Sequence, residues 1–186
     1  MGATIMANLE LELLQERVQR ARHAAKEGNL PVARELLEGV AADLATAGLV
    51  SPFVEWLSAV TADGLELFVE AVTRVDRACA IDPVCPAFSN SRKIILGRTR
   101  EALMSAATHP IDADPLALYD VLVRANQADR EVHEAALAIC TAIGHETRAR
   151  SIATGLRALY PDSTAMTGTM DALDRDIGGG STRSAN

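Results

Sequence analysis

Residues 68–88, FVEAVTRVDRACAIDPVCPAF, decide the fold that this sequence predicts. The residue before a proline is sterically pushed out of the helical region, so the helix that starts near Phe68 is expected to end at Asp82-Pro83. Pro86-Ala87-Phe88 then begins the next helix. Cys79 and Cys85 flank this corner, and we interpret them as side chains that pack on either side of it. The stretch therefore predicts two helices joined by a short turn.

The same combination of periodic segments and sharp corners extends along the chain. In residues 7–27 apolar side chains recur at steps of three and four, which forms one stripe on a helix: Leu11, Leu14, Val18, Ala21 and Ala25. The next segment repeats this spacing at Val32, Leu36, Val40 and Leu44. Most of the later segments are also predicted to be helical. They include ADREVHEAALAICTAIG (residues 128–144), either as a separate helix or continuous with the one before it, and a weaker last helix within 162–176.

Glycine, proline and aspartate mark the predicted helix ends. Gly28 suits the left-handed conformation that closes a helix, and Gly48 and Gly144 are likewise expected to stop helices. Ser51-Pro52 and Asp114-Pro115 each combine an N-cap residue with a proline in the first turn, so both are expected to start helices. The stretch TADG, residues 61–64, is predicted to be a turn or a weak point of the helix.

The composition also favours helices. Aromatic residues make up 3% of the chain, while alanine and leucine, which lose little side-chain freedom in a helix, dominate it. We therefore predict an all-α protein of about eight helices packed as antiparallel helical hairpins, in a bundle or a short α-solenoid. A single helical domain is expected over residues 1–176, followed by a flexible Gly/Ser-rich tail at 177–186.

Charge and hydropathy exclude several classes of partner. The formal net charge of −7 argues against nucleic acid as the main partner, because such proteins need an excess of cations to displace counterions. No apolar run reaches the roughly 20 residues that a membrane span needs. The first residues lack the basic start of a signal peptide. We expect a cytoplasmic protein, a location that an odd number of cysteines, three, also fits.

Two stretches carry a resemblance to a known repeat family. RHAAKEGNLPVARELLEGV (residues 22–40) has a glycine corner followed by a small residue and paired leucines, and ACAIDPVCPAF (78–88) has an alanine-rich helix that ends in an Asp-Pro turn. LRALYPDSTAM (156–166) is similar, and prolines recur at Pro52, Pro83 and Pro115. These features resemble tetratricopeptide (TPR) helical hairpin repeats, whose period is about 34 residues. The resemblance implies a concave surface that binds a peptide or protein.

Two groups of residues are candidates for a protein-binding surface. Arg92, Lys93, Arg98 and Arg100 form the one basic cluster, and it contrasts with the acidic stretch Glu55–Asp82. Opposite patches favour association, including self-association, although the cluster also fits a solvated helix face. Phe53 and Trp56 belong to the main group of aromatic residues, which suits either an interface or the core.

The cysteines and histidines form the alternative candidate site. Cys79 and Cys85 lack the second C-x(2–4)-C pair of a zinc site, and Cys140 lies far away in the sequence. His133-Glu134 and His145-Glu146 match neither His-Glu-x-x-His nor paired Glu-x-x-His motifs. We interpret His133 as a residue on a solvated face and His145 as the start of a helix. No metal and no cofactor is therefore predicted.

These observations favour a non-catalytic function and leave one catalytic or cofactor-binding alternative open. We expect a non-catalytic protein-protein interaction module: an adaptor, a scaffold or an accessory subunit of a larger complex that can also self-associate into an oligomer. The alternative is a helix-bundle enzyme, or a metal or redox cofactor protein, that uses Cys79, Cys85, Cys140, His133 or His145.

Overall fold

The computed structural model describes residues 2–109, 111 and 113–161. Within them it contains eight α-helices and no β-strand, which confirms the predicted all-α class. Consecutive helices pack on one another as hairpins, α1 on α2, α2 on α3, α3 on α4, α6 on α7 and α7 on α8. The helices are α1 (Gly2–Lys26), α2 (Leu30–Thr46), α3 (Pro52–Gly64), α4 (Phe68–Ile81), α5 (Pro86–Ala106), α6 (Pro115–Arg124), α7 (Arg130–Ala142) and α8 (Glu146–Leu159).

Most of the predicted helix ends are confirmed. Gly28, Gly48 and Gly144 have φ values of 78°, 69° and 72°, the left-handed conformation that closes a helix without a steric cost for glycine. The side chain of Ser51 accepts a hydrogen bond from the backbone N–H of Val54, and that of Asp114 accepts one from Leu116. Helix α4 ends at Ile81, immediately before Asp82-Pro83, and α5 begins at Pro86.

One helix end differs from the prediction, and the structure decides between two alternatives at another. The stretch 61–64, predicted to be a turn or a weak point, is helical, and α3 ends at its last residue, Gly64. The reversal is made by Glu66, which adopts a φ of 60°. Helices α6 and α7 are separate, because Asn126 reverses the chain with a φ of 57° and Asp129 then caps α7. A positive φ at a residue other than glycine leaves little signal in the sequence.

The chain divides into two compact units, Met1–Thr99 and Arg100–Asn186. The predicted single domain over 1–176 stays a prediction, and the weaker helix expected within 162–176 and the tail at 177–186 lie outside the described residues. None of the helices that the structure describes is both long and apolar enough to cross a membrane.

Helices of the first unit are arranged in two layers. Helix α1 contacts α3 directly, and Trp56 of α3 contacts Phe88 of α5, with ring centroids 6.0 Å apart. On the other side, Arg34 of α2 forms an ion pair with Glu70 of α4 at 3.0 Å. Helices α1, α3 and α5 therefore share one layer, and α2 and α4 share the other. Stacked helical hairpins have this arrangement.

Each unit has its own apolar core. In the first unit, one cluster joins three helices and consists of Ala21, Leu37, Val40, Val54 and Leu57. In the second unit the most buried large side chains come from α5 to α8 and include Leu103, Leu118, Leu122, Val132 and Leu156. Full burial of one such side chain stabilises the fold by about 1.5–3 kcal/mol. These cores hold the helix surfaces on which the candidate sites lie.

Candidate functional site

The predicted basic cluster lies on α5, and two of its arginines pair with acidic residues of their own unit. Arg92 Nε donates a hydrogen bond to Asp76 Oδ1 at 2.6 Å. Arg98 pairs with Asp63, whose side chain is buried in α3. Both partners belong to the acidic stretch Glu55–Asp82. These basic and acidic residues therefore pair with each other inside the first unit.

The other two cations of the cluster differ from each other. Arg100 Nη2 pairs with Asp129 at 3.1 Å and also with Glu131, both at the start of α7 in the second unit. The backbone N–H of Val132 is the main cause of a lowered pKa of Asp129, and Arg100 lowers it further. Lys93 is exposed and forms no salt bridge with any residue that the structure describes. Three of the four predicted residues thus have an intramolecular role.

The predicted aromatic residues form a row that runs from the core to the surface. Phe88 is 6% exposed and contacts Trp56, which contacts Phe53 at a centroid distance of 5.4 Å. Phe53 is 36% exposed, and the Arg22 guanidinium lies 5.8 Å from its ring centroid. Trp56 Nε1 donates a hydrogen bond to Ser91 Oγ at 2.8 Å. Trp56 is therefore partly a packing residue, whereas Phe53 presents much of its ring to solvent.

Phe53 forms one wall of an open apolar groove in the first unit. The groove is bordered by the middle of α1, the last part of α2 and the start of α3, and it has a volume of about 610 Å³. Its apolar lining is Leu14, Val18, Val40, Leu44, Phe53 and Val54. Five of these side chains, all except Phe53, also belong to the apolar cluster of the unit or pack against it, so the groove is an opening of the core itself.

The rim of the groove on α1 is polar and acidic. Glu12, Gln15, Glu16 and Gln19 line it. Neither Glu12 nor Glu16 forms a salt bridge with another residue in the described part of the chain. The arginine nearest to them in sequence, Arg17, pairs with Asp43 of α2. The rim therefore carries two carboxylates that form no salt bridge within residues 2–109, 111 and 113–161.

The three cysteines are free thiols. Cys79 and Cys85 are half-buried at the corner between α4 and α5, as expected, and Cys140 is fully buried in α7. Burial raises the pKa of both the Cys79 and the Cys140 thiol, which keeps them protonated near neutral pH. The thiolate, not the thiol, is the nucleophile and the metal ligand. Among the residues that the structure describes, no three His, Cys, Asp or Glu side chains are grouped to hold a metal ion.

The two candidate histidines have different environments. His145 is exposed at the N-cap position of α8, which confirms its interpretation as a helix start. The interpretation of His133 as a solvated residue was wrong. It is half-buried, and its Nδ1 lies 2.9 Å from the hydroxyl of Tyr119, which packs edge-on against the imidazole. Tyr119 of α6 covers one side of the His133 imidazole. The helical pattern of α7 alone could not indicate this contact, because Tyr119 belongs to another helix.

Tyr119 and His133 border a smaller polar pocket in the second unit. It has a volume of about 420 Å³ and is lined by Tyr119, Asp120, His133, Arg148, Ser151, Ile152 and Gly155. Asp120 and Arg148 form an ion pair. Burial lowers the pKa of His133 and raises the pKa of Tyr119, so both side chains are neutral near pH 7. The pocket can offer hydrogen bonds, and its one ion pair leaves it without net charge.

The sequence identified individual residues of the groove and the polar pocket as candidates, but it did not show which residues lie together. Phe53 was a candidate, whereas the other groove residues stood out only as parts of helical stripes. No protein-family model, no curated protein and no solved structure matches this chain. The resemblance to tetratricopeptide repeats accordingly stays a prediction.

Proposed function

We propose that the protein is a non-catalytic protein-protein interaction module that acts as an adaptor, a scaffold or an accessory subunit. The apolar groove of the first unit is the observation that supports this proposal. Exposed aromatic side chains in a concave apolar surface are typical anchors of protein interfaces, and Phe53 holds such a position. The groove is built on helices rather than on mobile loops, so its shape exists before a partner arrives.

Affinity capture from the native host, followed by native mass spectrometry, tests this function. Three forms of the chain are compared: the wild type, Phe53→Ala and the surface control Ile94→Ala, whose side chain is 62% exposed on α5, outside the groove. We expect a stoichiometric heteromeric complex with the wild type and with Ile94→Ala, and a marked loss of the partner with Phe53→Ala. A complex that all three forms retain equally would refute the groove as its basis.

A helix-bundle enzyme or cofactor protein remains the second candidate function, and the polar pocket of the second unit favours it. His133 is the only one of the five candidate Cys and His residues that lines this pocket in the described structure. Metal analysis and an absorption spectrum of the purified protein test this function. Stoichiometric metal or a visible absorption band would support it against the adaptor.

A further inference from the structure

We infer that the groove of the first unit binds a short amphipathic helix of a partner protein, with large apolar side chains on one face and Lys or Arg beside them. This inference rests on the proposed function and specifies the partner. It follows from three properties of the groove: its apolar walls, its length and the charge of its rim.

The walls of the groove select a partner with bulky apolar side chains. Val40 and Leu44 of α2, Leu14 of α1 and Phe53 of α3 all contribute apolar side chains to its lining. A volume of about 610 Å³ exceeds what one side chain fills, so more than one anchor is accommodated. An amphipathic helix presents such anchors at i, i+3, i+4 and i+7 on one face. The structure describes no β-strand, so strand addition has no sheet edge to use.

The length of the groove indicates how much of the partner is bound. Its wall on α1 runs from Glu12 to Gln19. At about 1.5 Å of rise per residue, these seven steps correspond to about 10 Å, or about two helical turns. The groove therefore suits a contact of about two turns. A partner of this kind is a short helical segment rather than a large flat surface.

The charge of the rim selects a basic partner. Glu12 and Glu16 are one turn apart on α1, and both are exposed and without a salt bridge in the described residues. Two cations at i and i+4 on the flank of a bound helix would match this spacing. The chain as a whole is also acidic, with a net charge of −7, which favours the approach of a basic partner. Arg22, on the last part of α1, lies over the Phe53 ring and donates a hydrogen bond to Gln19 of the rim, but it forms no salt bridge with Glu12 or Glu16 among the described residues.

Fluorescence anisotropy with designed peptides tests this inference without knowledge of the natural partner. The probe is a labelled peptide of about five turns, or about 18 residues, with leucine on one face and lysine on both flanks. One control peptide carries glutamate in place of lysine, and another has the same composition in an order that destroys the apolar face. We expect the basic amphipathic peptide to bind at least about tenfold more tightly than either control at low ionic strength.

Variants of the chain locate the binding. Phe53→Ala should weaken binding of the basic peptide about tenfold or more, the effect of losing an interface anchor. Glu12→Gln with Glu16→Gln should remove most of the preference for lysine over glutamate. The double control Glu35→Gln with Glu101→Gln changes the net charge equally, outside the groove, and should leave the preference intact. The exposed rim positions make the Glu12 and Glu16 changes safe for folding.

Each contrary outcome overturns the inference in a distinguishable way. Equal binding of the basic and acidic peptides, or binding that Phe53→Ala leaves unchanged, would refute the basic helix as the occupant. A dimer in sedimentation that Phe53→Ala dissociates would assign the groove to a second copy of the chain. If no peptide binds while affinity capture still yields a partner that depends on Phe53, the partner class is wrong and the proposed function stands.

Discussion

Arg98 offers a direct test of whether the α5 cluster stabilises the fold or serves as a docking patch. Its guanidinium pairs with Asp63, whose side chain is 10% exposed and whose Oδ1 has no hydrogen-bond partner among the described residues. Arg98→Ala would leave this carboxylate buried without a counter-ion. We therefore expect this substitution to lower the stability of the first unit, whereas Lys93→Ala, on the exposed face of the same helix, should change it little.

The size of this effect follows from the unequal exposure of the two partners. Removing one member of a fully buried pair costs about 3–5 kcal/mol, and an exposed pair contributes about 0–1 kcal/mol. The Arg98 side chain is 41% exposed, so water already screens part of the attraction. Its guanidinium also lies 5.8 Å from the Phe68 ring centroid, a contact that the substitution removes. We expect a loss of about 2 kcal/mol for Arg98→Ala and under about 0.5 kcal/mol for Lys93→Ala.

Urea unfolding followed by the emission of Trp56, the only tryptophan, measures this loss within the first unit. The variant Arg98→Ala with Asp63→Asn replaces the stranded carboxylate by a neutral amide. It should recover about 1 kcal/mol relative to Arg98→Ala alone, because an unpaired buried charge costs more than an unpaired amide. The reasoning fails if Arg98→Ala is no more destabilising than Lys93→Ala, or if the double variant is the least stable of the three.

Three further predictions concern the two cores and the pocket of the second unit. Leu37→Ala should destabilise the first unit by about 3 kcal/mol in urea unfolding, because Leu37 is 1% exposed, whereas Leu13→Ala, at 53% exposure, should cost under about 1 kcal/mol. Cys140, which is fully buried and has a raised pKa, should resist alkylation in the native protein, and labelling of the native chain as fast as in urea would contradict this. Because burial lowers the pKa of His133 in the folded state, the unfolded state binds more protons, so the stability of the second unit should fall as the pH drops below about 6.5 and be constant above it. His133→Gln should reduce this loss of stability at low pH, which unfolding measured at pH values above and below about 6.5 would show. Glutamine is chosen because its amide can still hydrogen-bond the Tyr119 hydroxyl.

Much of the helix order could be predicted because helix ends are encoded locally. Asp82-Pro83 ends α4 through a steric clash between neighbouring residues, and Ser51 starts α3 through a hydrogen bond three residues ahead. Gly28 closes α1 because it tolerates a positive φ. Each signal acts within a few residues, so a single sequence carries it. The turn at Glu66 could not be predicted from such local signals, because Glu66 adopts a left-handed conformation that usually requires glycine.

The candidate sites could not be predicted because they depend on contacts between distant segments. Arg98 and Asp63 are 35 residues apart, and no spacing rule relates them. The groove combines side chains from three helices, so Leu14 and Leu44 appeared in the sequence only as members of separate stripes. The half-buried position of His133 likewise depends on Tyr119 of the preceding helix. Helical periodicity identifies the buried face of each helix but not its neighbour.

The layered packing of the first unit has a consequence for how that unit folds. Its helices contact their nearest and next-nearest neighbours along the chain, α1 with α2 and α3, and α3 with α4. Contacts of this kind close short loops, and chains with mostly local contacts fold on microsecond to millisecond timescales. Folding can therefore begin at any one hairpin and extend to the next. A groove built from α1, α2 and α3 needs only the α1–α2 hairpin and its extension to α3, so its binding surface can form before α5 has docked.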